Sequence, residues 1–203
     1  MRIAIFGATG GTGQELVKQA IEKGHSVSVL VRNPAKLTNK NVRIIQGDVR
    51  NKNGVSKNIE GADVVISALG VKPGQQPICE LGVRNMIAAM QTHNVQRIIV
   101  ESVYGAGKPR AGMYATVLRF MIPRLIRDKE GMENTLQQSN IAWTIVRPTV
   151  LANGPKIGKV THGTNFAPRG LFPSISRADV AGFMLKQIET NEYIKKTVNI
   201  TEK

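Results

Sequence analysis

The sequence has a single cysteine, Cys79, among its 203 residues. A disulfide framework is therefore excluded, and a cysteine-based metal site is not expected. One thiol is compatible with a reducing cytoplasm, which is the location that we expect for this chain. No apolar run approaches the roughly 20 residues of a membrane span. The N-terminal segment has neither the apolar stretch nor the small-residue cleavage site of a signal peptide, so we interpret it as mature sequence.

Acidic and aromatic residues are also scarce. Only 14 Asp and Glu oppose 28 Lys and Arg, so the formal net charge is +14, and aromatic residues make up 4% of the chain. Such a charge attracts anions, which include nucleic acid, anionic lipid, phosphorylated cofactors and acidic small molecules. The few aromatic residues argue against a protein that stacks single-stranded bases. RNA binding is therefore an alternative that only the charge suggests, since no RNA-binding motif is present.

Short apolar runs alternate with amphipathic helical patterns along the whole chain. The apolar runs predict strands at Arg2–Phe6, Ser26–Val31, Val42–Gln46, Asp63–Leu69, Arg97–Glu101, Ile141–Arg147 and Thr197–Ile200. The helical patterns cover Gln14–Lys23, Lys52–Ile59, Pro77–Thr92, the region around Met113–Ile122, Asp128–Ser139 and Arg177–Thr190.

This alternation predicts an α/β fold, a single-domain Rossmann-like, doubly wound parallel sheet with helices on both faces. We expect one domain over residues 1–203, with substrate-site elements mainly in 103–129 and 148–175. Ligands of such sheets bind at the carboxyl ends of the strands. The candidate site residues are therefore those that directly follow each predicted strand.

A glycine-rich string directly follows the first predicted strand and opens the first helix. It reads Gly7-Ala8-Thr9-Gly10-Gly11-Thr12-Gly13. Glycines at positions 7, 10 and 13 permit a tight turn, close approach of the backbone to a pyrophosphate and close helix–strand packing. The helix N-terminus supplies free N–H groups for the phosphates. Because the string lies between a strand and a helix, it predicts dinucleotide binding rather than a structural turn. It is not a Walker A loop, since no Lys-Ser/Thr pair follows.

The end of the second predicted strand discriminates between NAD and NADP. NAD sites usually place Asp or Glu there to bind the ribose 2′-hydroxyl. This chain has Arg32 followed by Asn33, with Lys36 nearby and no acidic residue. A guanidinium group suits a 2′-phosphate. The sequence therefore favours NADP(H), although two solvated basic residues in a turn would give the same pattern.

The motif and its surroundings resemble the atypical short-chain dehydrogenases with NAD(P)H-binding domains. Within that group the chain is most similar to the biliverdin-IXβ reductase family, also called flavin reductase (NADPH). The similar stretches span nearly the whole chain, and they are Ile3–Gly13, Val29–Leu37, Gly47-Asp48-Val49, Gly82–Met90, Pro123-Arg124-Leu125 and Ile175–Leu185.

The resemblance implies further cofactor contacts. Asp48 and Val49 would lie near the adenine. Ala68, Leu69 and Gly70 would lie along the ribose and pyrophosphate, whereas Ser102 and Pro148-Thr149-Val150 would border the nicotinamide. The rule about strand ends selects the same positions independently. Asp48 is also explained by a turn or a helix cap.

The catalytic pair of ordinary short-chain dehydrogenases, Tyr-x-x-x-Lys, is missing. Tyr114 stands at roughly the expected spacing, but the residue four positions later is Leu118. An unassisted tyrosine titrates near ~10 and is a poor base at neutral pH. Reduction of a flavin or a bilin needs less, because the cofactor carries the hydride chemistry and water supplies the proton. The sequence therefore disfavours a ketone reductase and a sugar-nucleotide epimerase, but not a flavin or bilin reductase.

Ser102 is the one candidate catalytic residue, although a strand-end cap fits the same position equally well. The chain departs from the resembling family here, since the family's serine falls at Val103 and its active-site histidine at Thr149. Neither side chain is a general acid. His25 and His93 have the sequence context of surface residues, and His162 lies in a loop-rich region that could approach the site. No two histidines have metal-ligand spacing, so no metal is expected.

Basic residues cluster between the fifth and sixth predicted strands. They interleave with apolar residues, which suits a flat ring system that carries carboxylates or a phosphate, although a solvated basic surface is equally compatible. From this cluster and the strand end before it we select Tyr104, Lys108, Arg119 and Arg124 as candidate substrate contacts; its other members are Arg110, Arg127 and Lys129.

The sequence as a whole predicts a cytoplasmic, NADPH-dependent oxidoreductase. Its expected cofactor is NADP(H), its expected acceptor an anionic flavin or bilin, with flavin as a substrate rather than a tightly bound cofactor. No nucleic-acid partner and no membrane span are expected, and a monomer is compatible with the sequence. The alternative is a non-catalytic NADPH-binding redox sensor, with which the missing catalytic pair is also compatible.

Overall fold

A computed structural model describes residues 1–71, 75–107, 116, 119–166, 168, 173–190 and 192–202. Strands and helices alternate along it. The strands are β1 (Arg2–Phe6), β2 (Ser26–Val31), β3 (Arg43–Gln46), β4 (Val64–Ser67), β5 (Arg97–Glu101), β6 (Ala142–Pro148), β7 (Val150–Ala152), β8 (Val160–Gly163), β9 (Ser174–Ser176) and β10 (Lys196–Glu202). The α-helices are α1 (Gly11–Glu22), α2 (Lys52–Ile59), α3 (Cys79–Thr92), α4 (Pro123–Gln137) and α5 (Arg177–Glu189), and a 3₁₀ turn covers Pro34–Lys36.

One eight-stranded sheet organises the chain, in the order β3-β2-β1-β4-β5-β6-β10-β8. Neighbouring strands are parallel except β8, which pairs antiparallel with β10. The chain order reverses between β1 and β4, which makes this the topological switch point. A small second sheet joins β7 and β9. The predicted Rossmann-like α/β fold is confirmed.

Alternating side chains of β1 show how the sheet is covered on both faces. Ile3 and Ile5 pack into one apolar cluster with α1 and α5, whereas Ala4 and Phe6 pack into another with α2, α3 and α4. Because successive strand residues point to opposite faces, a strand buried on both faces is apolar throughout. This explains the continuous apolar runs of the sequence.

Three features of the fold differ from the sequence predictions. Helix α1 begins at Gly11 rather than Gln14, since the loop glycines form its first turn. Helix α4 begins at Pro123 rather than Asp128, because proline is well tolerated at the first helical position, where no intrahelical N–H bond is lost. The strands β7, β8 and β9 were not predicted, and each is three or four residues long. Half of the helical pattern predicted around residues 113–122 falls outside the described residues, and of the described half, residues 116 and 119–121 are helical. Among the described residues no helix is long and apolar enough to cross a membrane.

Candidate functional site

The carboxyl ends of the parallel strands bring the predicted site residues to one edge of the sheet. The loop after β1 lies beside the segment after β4, at the switch point of the topology. Gly7 has φ of +80° and packs so tightly that a Cβ there would lie 2.6 Å from the Ala68 carbonyl carbon. A Cβ at Gly13 would lie 2.7 Å from the Gly7 carbonyl carbon. Glycine is therefore required at both positions to bring β1, α1 and the segment after β4 together.

The N-terminus of α1 is available to an anion. Its N-cap is Gly10, which has no side chain to accept from the first-turn N–H groups, and the first turn holds no acidic residue. Gly10 and Gly11 are exposed, whereas Thr12 is buried. The Thr9 carbonyl accepts a hydrogen bond from the Gln14 side chain. Unpaired N–H groups and the positive end of the helix dipole suit the pyrophosphate of a dinucleotide.

Arg177 lies against the same helix start, and the sequence did not reveal it. A Cβ at Gly11 would lie 2.7 Å from the Nε atom of Arg177, so the arginine side chain crosses directly over the first helical residue. Its Nη1 donates to Asn153 Oδ1 at 2.7 Å. Arg177 is the first residue of α5, whose N-cap Ser176 accepts from the Asp179 N–H at 3.0 Å. The Ser-x-x-Asp spacing was the available signal that a helix starts at this edge.

Arg32 and Lys36 lie where β2 ends. Arg32 is exposed, and neither side chain has a hydrogen-bond or ion-pair partner among the described residues. The turn between them is fixed by Asn33, whose Oδ1 accepts from the Ala35 N–H at 3.0 Å. Two exposed cations at this turn fit a 2′-phosphate.

Asp48 is engaged by a neighbouring arginine. Its carboxylate accepts from the N, Nε and Nη2 atoms of Arg50 at 2.8 to 3.0 Å. These bonds, with the side-chain bond from Arg50 as the largest cause, lower the pKa of Asp48 to about 2. The adjacent Val49 is buried, and a Cβ at Gly82 on α3 would lie 2.9 Å from its methyl group. The Asp48–Val49 pair is thus a fixed corner at the end of the β3 segment.

Lys129 is buried beneath the strand ends, with 4% of its surface exposed. Its Nζ donates to the Leu69 and Glu101 carbonyls, each at 2.6 Å. The expectation that Lys129 belongs to a basic surface cluster is wrong. Helix α4 begins earlier than predicted and packs its buried face, which carries Lys129, under the ends of β4 and β5. Gly70, which follows Leu69 in the sequence, remains exposed.

Glu101 and Thr12 connect the base of the site to the phosphate-binding loop. The Thr12 hydroxyl donates to Glu101 Oε1 at 3.0 Å. Burial raises the pKa of the Glu101 carboxyl, while Lys129, Thr12 and Arg177 act in the opposite direction. A carboxyl group in this position holds its proton to a higher pH than an exposed one.

The Ser102 side chain is held by a buried glutamate. Its hydroxyl donates to Glu133 Oε1 at 2.5 Å, and Arg147 donates to both oxygens of the same carboxylate, with Nε–Oε1 at 2.9 Å. Ser102 and Glu133 are buried. The charged pair fixes the direction of the Ser102 hydroxyl, so the serine proton points into the protein.

The predicted substrate-contact residues differ in how far their side chains are exposed at this edge of the sheet. Tyr104 is 7% exposed, burial raises its pKa, and its backbone N–H donates to the Pro148 carbonyl at 2.9 Å. Arg119 donates to the Gly105 carbonyl at 2.9 Å and to Glu130 at 2.6 Å, so it fastens the loop after β5. The side chain of Arg124 is exposed on the first turn of α4. Lys108, Arg110 and Tyr114 lie outside the described residues.

The end of β6 supplies a polar pair and an apolar residue. Thr149 is buried and its hydroxyl lies 3.0 Å from that of Thr201. Val150 is 43% exposed. Thr149 thus cannot replace the family's histidine as an acid.

The histidines occupy structural positions. His93 Nε2 lies 2.8 Å from the Ser56 hydroxyl, and His162 Nδ1 lies 2.8 Å from the Tyr193 hydroxyl in an aromatic cluster with Phe183. His93, which the sequence context assigns to the surface, is therefore partly buried and engaged by Ser56. Among the residues that the structure describes, no group of three or more His, Cys, Asp and Glu could hold a metal ion.

Sequence comparison extends over nearly the whole chain. Residues 7–191 match the family of NAD(P)H-binding proteins. The uncharacterised protein YwnB of Bacillus subtilis (strain 168) is 29% identical over 206 residues, which cover 95% of this chain and 94% of YwnB. An isoflavone reductase homolog A622-like protein of Nicotiana tabacum is 28% identical over 221 residues, which cover 98% of this chain and 67% of that protein.

Solved structures of similar fold include two proteins that are named as reductases. ChuY, an anaerobilin reductase from Escherichia coli O157:H7, has a TM-score of 0.84 at 22% identity. The match covers 100% of this chain and 97% of the ChuY chain. A Streptococcus pneumoniae TIGR4 protein named as a candidate NADH-flavin reductase has a TM-score of 0.81 at 22% identity and covers 100% of both chains. At these identities the likeness establishes the fold.

Proposed function

Because this chain belongs to the family of NAD(P)H-binding proteins, we propose that it is an NADPH-dependent reductase of planar conjugated acceptors. The acceptor is a flavin such as FMN, or a biliverdin-type linear tetrapyrrole. The flavin binds as a substrate and leaves reduced. In the balanced reaction NADPH, a proton and FMN give NADP⁺ and FMNH₂.

The observation that carries the acceptor class is the orientation of Ser102. Its hydroxyl donates a hydrogen bond to Glu133, whose side-chain oxygens also accept from Arg147. A ketone reductase needs a side chain that delivers a proton as the hydride arrives. A flavin or bilin can take that proton from water, because the conjugated ring spreads the negative charge. The residues at this edge therefore suit an acceptor that needs orientation more than acid catalysis.

The proposed cofactor site extends along the carboxyl ends of the parallel strands. NADPH supplies the hydride when bound. The first-turn N–H groups of α1 bind the pyrophosphate, and Arg32 and Lys36 bind the 2′-phosphate. Ala68, Leu69 and Gly70 follow the ribose, while Pro148, Thr149 and Val150 border the nicotinamide. Ser102, whose hydroxyl already donates to Glu133, would hold the carboxamide of the nicotinamide through its oxygen.

The acceptor would lie over the nicotinamide at near-attack distance, which is where most of the rate enhancement arises. Tyr104 lines the edge after β5, and the exposed guanidinium of Arg124 attracts the phosphate of FMN or the propionates of a bilin. The names of ChuY and of the streptococcal protein support these two acceptor classes. The streptococcal name specifies NADH, so the cofactor preference needs its own test.

The decisive experiment is anaerobic turnover. The protein is mixed with NADPH and either FMN or biliverdin, and the loss of NADPH absorbance is followed together with the bleaching of the acceptor. The expected result is stoichiometric oxidation of NADPH with at least one of the two acceptors. The Gly10→Asp variant is the control that lacks the anion site, and it should be inactive although folded.

Tight NADPH binding without turnover of any acceptor would overturn the reductase proposal and favour a redox sensor. Absence of NADPH binding would instead refute the cofactor assignment. Turnover of simple ketones at the rate of flavins would refute the argument from Ser102.

A further inference from the structure

The start of α1 carries a cation that comes from a distant part of the sequence. Arg177 crosses Gly11 closely enough that any Cβ at position 11 would collide with it. Gly11 is the first helical residue of α1, directly after the N-cap Gly10. The guanidinium group therefore lies beside the free N–H groups to which an anion would bind.

The position of Arg177 is fixed by its neighbours. Asn153 Oδ1 accepts from Nη1 at 2.7 Å, while the described residues provide no acceptor for Nε and Nη2. The backbone is held by Asp179, whose carboxylate accepts from the N–H groups of Ile157 and Gly158 at 3.0 and 2.7 Å. This pins the loop that carries Asn153 to the start of α5. A cation ordered in this way loses little conformational entropy when it binds an anion.

No ion-pair partner neutralises Arg177 among the described residues. Its positive charge acts on the Glu101 carboxyl group, whose pKa it lowers. Glu101 already accepts from Thr12. A guanidinium with two free donors beside a helix N-terminus is an arrangement that binds phosphate oxygens in pairs.

We propose that Arg177 binds the pyrophosphate of the cofactor, opposite the glycine-rich loop, and that Asn153 is the residue that positions it. The inference rests on the proposed cofactor site and is independent of the acceptor. A side chain at position 11 would displace the arginine, so the glycine there is what allows this contact. The cofactor site thus includes a contact from the segment after β9 as well as those after β1 and β2.

The test measures binding of four ligands to Arg177→Gln by calorimetry: NADPH, NADH, ADP-ribose and adenosine 2′-monophosphate. The first three contain the pyrophosphate, and the last lacks it. Loss of a charge-assisted hydrogen-bond pair should weaken those three by a common factor of about 10 to 100. Binding of adenosine 2′-monophosphate should change by less than about threefold. The matched control is Arg43→Gln, which removes an exposed arginine at the opposite edge of the sheet.

Asn153 is tested by a double-mutant cycle on NADH binding. Asn153→Ala should weaken NADH a few-fold in the native background and have no effect in the Arg177→Gln background. A structural role for Asn153 would give the same loss in both backgrounds. Circular dichroism melting curves confirm that each variant is folded.

Two results would overturn the inference. One is unchanged ADP-ribose affinity in folded Arg177→Gln. The other is a loss confined to NADPH and adenosine 2′-monophosphate, which would move Arg177 to the 2′-phosphate. Because these are binding measurements, they separate this inference from the acceptor proposal. If the protein binds all the ligands as expected but reduces no acceptor, the assignment of Arg177 to the pyrophosphate stands and the acceptor proposal is refuted.

Discussion

The Ser102 hydroxyl donates to the Glu133 carboxylate across 2.5 Å, below the edge of the sheet where the strands end. Because Arg147 donates to both oxygens of that carboxylate, the group acts as an acceptor for the serine. In our proposal the serine therefore offers an oxygen lone pair, not a proton, to the bound cofactor.

Ser102→Ala should therefore affect cofactor binding more than chemistry. We expect KM for NADPH to rise by about 2- to 12-fold, the value of one neutral hydrogen bond, with kcat for FMN changed less than about threefold. Loss of a general acid would instead lower kcat by about 10² to 10⁴. Steady-state kinetics distinguish the two, with Ser139→Ala at the end of α4 as the control. A kcat loss of the larger size with unchanged KM would make Ser102 catalytic.

Arg32→Ala should change cofactor preference. The side chain is exposed and has no described partner, so its removal costs little stability. We expect the Kd for NADPH to rise about 10- to 100-fold, because a charge-assisted contact to the 2′-phosphate is lost, while the Kd for NADH stays within about threefold. Fluorescence titration measures both, with Arg43→Ala as the control. Equal losses for the two cofactors would refute a 2′-phosphate site.

Lys129→Met should destabilise the protein strongly. The substitution leaves the Leu69 and Glu101 carbonyls without their buried donor, and we expect a loss of about 2 to 4 kcal/mol in the free energy of unfolding. Urea unfolding measures it, with the exposed Lys18→Met on α1 as the control. A loss within about 0.5 kcal/mol would mean that Lys129 does not hold the strand ends together.

Glu101→Gln should change how stability depends on pH. Burial raises the pKa of Glu101 in the folded protein above its ordinary value of 4.5. Between the two pKa values the folded state binds more protons than the unfolded chain, so stability decreases as pH rises through that window. The glutamine of the variant does not titrate, so the variant does not lose stability in this pH window. Its side-chain oxygen still accepts the hydrogen bond from Thr12. Its stability relative to the native protein should therefore increase with pH from about 4.5 upward.

Chemical unfolding at several pH values tests this, with the exposed Glu22→Gln as the control. A stability difference that does not vary with pH, or that decreases as pH rises, would contradict the assigned direction of the shift.

Gly10→Asp should affect binding and stability in opposite directions. The backbone of Gly10 has φ of −80°, which any residue adopts, and a Cβ there would have only the Gly7 carbonyl oxygen nearby, at 3.3 Å. The aspartate can cap α1, which stabilises the helix by a few tenths of a kcal/mol. It also places a negative charge where the pyrophosphate binds. We expect an equal or higher Tm and loss of NADPH binding by more than about 100-fold.

Gly10→Ala is the matched control, since it adds the Cβ without the charge. If Gly10→Asp bound NADPH as tightly as Gly10→Ala, the anion site would lie elsewhere.

The sequence predicted what is encoded locally. Alternating apolar and amphipathic segments predicted the α/β sheet, and the glycine spacing predicted the loop at the start of α1. The position of Arg32 after β2 could be predicted because strand ends in a parallel sheet meet at one edge. Short strands such as β8 could not, since their pattern is too brief to distinguish from a loop.

The partners of the buried polar residues were decided only by the tertiary structure. Lys129 has the sequence context of a surface lysine, and only the packing of α4 under the sheet brings its Nζ to two carbonyls. Glu133 meets Ser102 across 31 positions of sequence, and Arg177 reaches Gly11 from the opposite end of the chain. Hydrophobic periodicity specifies which face of an element is buried, but not which polar group it will meet. The sequence by itself therefore predicted the fold and the edge of the sheet at which we propose that the cofactor binds, whereas only the tertiary structure decided which polar side chains pair with one another there.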